Sequence, residues 1–95
     1  MTDDGGTFTE AVITVIEAIP AGEISTYGEV AAEAGFPGAA RAVGHLLRTT
    51  HGLPWWRVIS TNGRLVPGLE REHAQRLRAE GITVTQGKVR MGQPT

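Results

Sequence analysis

Trp55 and Trp56 stand side by side in the run Leu53-Pro54-Trp55-Trp56-Arg57-Val58-Ile59, and the chain has no other tryptophan. An indole has no ionisable nucleophile, but it offers a broad apolar face and one N–H donor. The 95 residues include no cysteine, which excludes thiolate attack, a thiolate metal site and a disulfide framework. His45, His51 and His73 do not form a helical metal-binding pair with an acidic partner. No glycine-rich phosphate loop or Ser-His-Asp signature is present. The indoles offer apolar surface, and arginine forks suit phosphates.

Charge is segregated along the chain. Residues 1–40 carry seven carboxylates and no Lys or Arg, whereas residues 41–95 carry nine basic residues against three acidic ones. Eight of the nine are Arg, suited to bidentate phosphate contacts. The net charge of −1 and pI near 6.3 would not suggest a nucleic-acid partner, but the segregation does. No apolar run has membrane-spanning length, and the start Met1-Thr2-Asp3-Asp4 is unlike a signal peptide, so a cytoplasmic protein is expected; a monomer is expected as well.

The elements that must position these groups follow from spacing. Thr7 to Glu10 reads as a capping box opening a helix, with Phe8, Val12, Val15, Ile16 and Ile19 on one face before Pro20. A second box, Thr26 to Glu29, opens a short helix that Gly35 ends. A third helix is expected from about Ala39 to Thr49. It would turn Val43, Leu46 and Leu47 inward and Ala40, Arg41, Gly44, His45 and Arg48 outward. Two short helices joined by a turn make a helix-turn-helix candidate. Val58 to Thr61, Asn62-Gly63 and Arg64 to Val66 read as a hairpin with a type I′ turn, the wing of a winged helix. Glu70 to Glu80 forms a further helix with Leu69, His73, Ala74 and Leu77 on one side and Gly81 as its stop. A final strand is expected at Ile82–Val84. The fold class is thus mainly α with a small β-hairpin wing, one winged helix-turn-helix-like domain over 1–95. Residues 1–6 and 86–95 are expected to be flexible.

The Pro54-Trp55-Trp56-Arg57-Val58 run resembles the active-site Pro-Cys-His-Arg-Val segment of the O6-alkylguanine-DNA alkyltransferases, with Trp55 at the cysteine position. The resemblance extends from Ile19-Pro20 to Gly81. Ile24 to Ala31 is similar to the segment holding the tyrosine that helps rotate the target nucleotide, which implies that role for Tyr27. Ala40-Arg41-Ala42-Val43-Gly44 resembles the arginine-finger segment, and Arg78 to Gly81 the site of the relay glutamate. A framework without its cysteine looks like the alkyltransferase-like proteins, which recognise the lesion without repairing it and mark it for nucleotide excision repair.

The resemblance implies a partner, double-stranded DNA containing O6-alkylguanine, met by Tyr27, Ala40, Arg41, Gly44, His45 and Arg48. It implies a lesion pocket of Tyr27, Trp55, Trp56, Arg57, Val58 and Arg64, Val58 through its backbone carbonyl. No catalytic residue, cofactor or metal is expected. Trp56 departs from the family by replacing histidine, and it either lines the pocket or fills core. Glu80 then has no imidazole to orient, so it is expected to pair with Arg57. The stretch 48–53 is short and lacks the family's hinge asparagine. The loop 65–68 is also short, and leaves only Arg64 and Arg71 as candidates for a basic pocket cap. The rival class is a winged-helix transcription regulator that reads duplex DNA without flipping. A glycosylase or hydrolase using Glu80 would lack a matched base or metal.

Overall fold

The computed structural model describes residues 4–89, with side chains described from Phe8 onward. In chain order the elements are α1 (Asp4–Glu17), β1 (Ser25–Thr26), α2 (Tyr27–Glu33), α3 (Ala40–Thr49), a single 3-10 turn (Trp55–Arg57), β2 (Val58–Ile59), α4 (Glu70–Ala79), β3 (Val84–Thr85) and β4 (Lys88–Val89). Helix α1 begins at Asp4, so Thr7 lies inside it and is not the expected N-cap. Once a helix is nucleated, each added residue gains its own hydrogen bond, which lets α1 extend back through Gly5 and Gly6. Residues 4–6, expected to be flexible, are therefore helical. The same expectation for 1–3 and 90–95 falls outside the described residues.

Local chemistry sets the other helix ends. Thr26 Oγ1 accepts from the Glu29 N–H at 3.0 Å while Glu29 Oε1 accepts from the Thr26 N–H at 3.0 Å, completing the box that opens α2. Beyond α2 the Gly35 N–H reaches the Ala32 carbonyl and the Phe36 N–H the Ala31 carbonyl, a Schellman motif. The same pair of bonds closes α4, from Gly81 to Arg78 and from Ile82 to Leu77.

Two apolar clusters share the short strand β2. Val12, Ile16, Ile19, Val30, Ala31, Val43, Leu53 and Val58 bury the facing sides of the first three helices. Ile59, Leu65, Ala74, Leu77, Val84 and Val89 form the second, under α4. Successive strand residues point to opposite faces, so Val58 enters one cluster and Ile59 the other. Both are fully buried, worth roughly 1.5–3 kcal/mol each. Strand β2 is held by parallel pairing to β1, with Ser25 opposite Val58 and Thr26 opposite Ile59. The active segment thus leads directly into the seam between the two clusters.

The wing is not where its sequence signal placed it. Residues 58–66 do not pair as a hairpin. Asn62 uses its side chain to accept from the Arg64 N–H at 3.1 Å and from Ser60 Oγ at 2.6 Å, and the Gly63 N–H closes a turn onto the Ser60 carbonyl. A type I′ turn needs positive φ at both central residues, and of this pair only Gly63 has it. The hairpin is instead β3–β4, whose turn residues Gln86 and Gly87 have φ of 53° and 76°. The strand expected at Ile82–Val84 is β3 and starts at Val84, two residues later, and a further strand, β4, follows it. Residues 86–89, expected to be flexible, are the turn and return strand. The Gly63 carbonyl accepts from the Val89 N–H, and Arg64 bridges to Lys88, so the 60–64 turn supports the wing from below.

Candidate functional site

Helix α3 has an outer face and a cavity face. Arg41, His45 and Arg48 are exposed, Ala40 and Gly44 half-exposed, while Val43 is buried and Leu46 and Leu47 pack against the core. Arg41, Ala42, His45, Arg48 and Thr49 edge an open groove completed by Phe8 and Thr9 of α1. Gly44, Leu47 and Arg48 look into a different cavity of about 680 Å³. Arg48 borders both, so a ligand in the cavity and a chain crossing α3 would share this guanidinium.

Tyr27, the first residue of α2, closes the α3 side of that cavity. A Cβ built at Gly44 would lie 3.9 Å from Tyr27 Cε1 and 3.9 Å from Arg48 Nη1, so Tyr27 and Arg48 flank this position at van der Waals distance. Burial pushes the Tyr27 phenol above its usual range, with the nearby Arg48 charge opposing. The hydroxyl is therefore held as a neutral donor.

Trp55 and Trp56 form the opposite wall. Their rings meet edge to face with centroids 6.0 Å apart. Both come from the 3-10 turn that Pro54 introduces, where the Arg57 N–H returns to the Pro54 carbonyl. Trp56 also packs against the second core cluster, so it lines the cavity and fills core at once. The remaining lining includes Thr50, His51, Gly52 and Leu53 on one rim and Val66, Pro67, Leu69 and Arg76 on the other. Leu69, assigned by spacing to the buried face of α4, is 43% exposed and belongs to this rim.

Of the six residues expected in the pocket, the structure brings Tyr27, Trp55 and Trp56 together on the cavity wall. Arg57, Val58 and Arg64 are not among the lining side chains. Val58 is sealed in the core and Arg64 is exposed beside the wing. Arg57 is turned to Glu80, as expected, with Nη2 at 2.7 Å from Oε2 and Nε at 3.1 Å from both oxygens. Its Nη1 also donates to the Ile19 carbonyl at 2.9 Å.

Glu80 gathers more than Arg57. The Trp56 indole N–H donates to Oε2 at 2.8 Å and the Gly22 N–H to Oε1 at 2.9 Å. The Arg57 hydrogen bonds hold the Glu80 carboxyl down to about 2, with Gly22 and Trp56 adding to them against the opposing effect of burial. An ionised Glu80 accepts every one of these bonds and has no proton to pass on.

Two residues were missed as site residues. Arg76 lies 4.6 Å over the Trp56 ring and 5.9 Å over that of Trp55, while pairing with Glu72 one turn back. With Arg48 it is a basic group at the cavity edge, whereas the candidates Arg64 and Arg71 are not among the lining residues. Its spacing of seven from Leu69 was the available signal, because two helical turns put both on one face. His73 is fully buried directly behind Trp55, with ring centroids 5.0 Å apart.

Among the described residues no three His, Asp or Glu side chains are placed to hold a metal ion, and no helix is long and apolar enough to cross a membrane.

Residues 7–82 match the family described as 6-O-methylguanine DNA methyltransferase, DNA binding domain. A DNA base-flipping protein of Vibrio parahaemolyticus is 45% identical over 89 residues, covering 86% of this chain and 88% of its own length. Alkyltransferase-like protein 1 of Schizosaccharomyces pombe is 38% identical over 87 residues, covering 83% and 80%. The S. pombe Atl1 structure, in complex with damaged DNA containing O6-carboxymethylguanine, superposes with a TM-score of 0.81 at 32% identity, covering 97% of this chain and 93% of that one. With no cysteine at Trp55 or anywhere else, the chain belongs to the 6-O-methylguanine DNA methyltransferase DNA-binding-domain family, on its alkyltransferase-like, base-flipping side.

Proposed function

We propose that this protein binds duplex DNA at O6-alkylguanine, turns the damaged nucleotide into the cavity between Tyr27 and the Trp55–Trp56 wall, and holds it there without reaction. The observation that carries this reading is the cavity itself, paved by two indoles where a transferase would place its thiol and bordered by the arginine-bearing helix α3. Turning a nucleotide out of the stack costs a few kcal/mol, and less when the base already pairs poorly. Arg41, exposed on α3, is the residue to enter the vacated space, since a guanidinium plane stacks and donates at once. Tyr27 presents a neutral hydroxyl to the rotated phosphate, and Arg48 draws the backbone toward the cavity mouth. Ala40, Gly44 and His45 complete the surface against the duplex.

Inside the cavity the purine meets aromatic surface on the tryptophan side. Val66, Pro67 and Leu69 supply apolar surface to the alkyl group. Nothing placed there can accept an alkyl group as a thiolate does. The output of binding is then the complex itself, a marker that hands the lesion to nucleotide excision repair in the cytoplasm. The protein acts as a monomer in this reading.

The test is equilibrium binding to matched duplexes carrying guanine or O6-methylguanine at one position, followed by tryptophan emission, since both indoles lie in the cavity wall. Preference for the methylated duplex with a change in emission supports the reading. Equal affinity would point to a regulator that reads intact duplex.

A further inference from the structure

His73 is fully buried, yet both of its ring nitrogens are used. Nδ1 accepts from the Val66 N–H at 3.1 Å, and Nε2 lies 3.0 Å from the Trp56 carbonyl. A carbonyl only accepts and a backbone N–H only donates, so the ring is the neutral tautomer with its proton on Nε2. Val66 begins the Val66–Pro67–Leu69 rim of the cavity, and Trp56 belongs to its indole wall. Neither segment donates a backbone hydrogen bond to the other among the described residues. The imidazole also backs the Trp55 ring edge-on. A single side chain on α4 therefore ties both sides of the cavity to one helix, while not lining the cavity itself.

We propose that His73 is a positioning residue that sets lesion selectivity by clamping the indole wall and the 66–69 wall at a fixed separation. The proposal rests on the cavity being the lesion site. A preorganised cavity binds the flipped base without first ordering its own walls, whereas a loose one must order them on binding. Contacts to undamaged duplex run through α3, which His73 does not touch, so selectivity rather than general affinity depends on it.

The clamp works in one protonation state. An added proton on Nδ1 would face the Val66 N–H, donor against donor, and release that wall. The charged groups on the elements packed against His73 offer no compensation. Arg57 of the 3-10 turn is occupied by Glu80, and β3 carries no charged residue. On α4, Arg76 one turn away opposes a second cation, and Glu70 and Glu72 are exposed, the latter already paired with Arg76. Burial accordingly lowers the His73 pKa from its usual value, against the Trp56 carbonyl bond that raises it.

The experiment compares wild type, His73→Phe and His73→Gln for binding to guanine and O6-methylguanine duplexes from pH 7.5 down to the acid limit of the fold. Phe keeps the bulk and loses both bonds. Gln offers one acceptor and one donor and does not titrate. His73→Phe should lower the ratio of lesion to undamaged affinity by about tenfold, with undamaged binding changed less than about twofold. Wild type should hold its ratio through the ordinary histidine range and lose part of it only at more acid pH, where the buried ring takes its proton, whereas His73→Gln should hold one ratio throughout. A ratio unchanged in His73→Phe, or one that falls equally with acid in wild type and His73→Gln, overturns the proposal. If His73→Phe shows no cooperative melt, the two pH profiles decide alone. Wild type without lesion preference at pH 7.5 is the distinct result that removes the cavity reading itself.

Discussion

The indole N–H of Trp56 donates to Glu80 Oε2 at 2.8 Å, on the carboxylate that Arg57 also grips. Where the family's histidine could take a proton from a neighbouring thiol, the indole can only give a hydrogen bond. The hydrogen-bonded frame beneath position 55 is therefore present while its proton transfer is not. Incubation with a duplex labelled on O6-methylguanine should leave all label on DNA. Trp55→Cys alone should acquire little label, because no base activates its thiol. Trp55→Cys with Trp56→His should acquire measurably more. Robust transfer by the single variant would show that the thiol needs no partner here.

Glu80 is expected to be a main electrostatic support of the fold. It titrates at about 2 folded and near its ordinary 4.5 unfolded. A depressed carboxyl stabilises the folded state fully above the unfolded pKa and loses that contribution as pH falls through the folded one. Glu80 and Arg57 are 14% and 17% exposed, so solvent screens the pair little. The shift corresponds to roughly 3 kcal/mol. Glu80→Gln should cost about 2–4 kcal/mol at pH 7 by urea denaturation, leaving the Arg57 charge without its partner. The gap from wild type should shrink between pH 5 and pH 2. A gap constant with pH would mean the carboxylate charge is not what matters.

What was legible in the chain was what local chemistry decides. The Thr26–Glu29 box and the glycines after α2 and α4 read correctly, whereas the pairing of Glu80 with Arg57, 23 residues apart, was legible only through the family resemblance. Asn62-Gly63 misled because Asn62 spent its side chain on the Arg64 N–H instead of adopting a left-handed backbone. The true hairpin turn begins with Gln86, a residue with little preference for that conformation, so it gave no signal. Spacing puts Arg76 on the same face of α4 as Leu69, but the contact of Arg76 and His73 with the indoles comes from packing of α4 on the 3-10 turn, which neither segment encodes alone.

Gly63 should be intolerant of any side chain. Its φ is +81°, and a Cβ there would lie 2.7 Å from the Val89 carbonyl oxygen. The contact is with backbone that is itself bonded to Gly63, so it cannot swing aside. Gly63→Ala should cost about 2 kcal/mol or more, lowering the melting temperature by roughly 8 °C or more. The cavity is built from other segments, so lesion preference measured well below the melt should survive. Loss of preference with unchanged melting would place the 60–64 turn in the site.

Arg41→Ala should weaken binding to the O6-methylguanine duplex more than to the guanine duplex. Arg41 is exposed on the outer face of α3, and a residue filling the vacated stack acts only after the nucleotide leaves it. Tyr27→Phe should have a smaller effect, since it keeps the ring beside Gly44 and removes only the hydroxyl. Equal losses on both duplexes for Arg41→Ala would reduce this residue to a phosphate contact.

Salt should separate the two parts of recognition. In the proposed complex the exposed Arg48 of α3 meets phosphates that damaged and undamaged duplexes share, so counterion release should weaken both complexes alike. In the proposed complex the preference would arise in the cavity, where Trp55, Trp56 and the apolar rim would act on an uncharged base, and in the easier exit of a poorly paired nucleotide. Plots of log affinity against log salt for the two duplexes should therefore be nearly parallel, offset by the preference. Arg48→Gln should flatten both lines by about one contact, because Arg48 is expected to meet the backbone at the cavity mouth. If instead the two wild-type lines converge until the preference vanishes at moderate salt, discrimination is electrostatic and the cavity does not read the lesion.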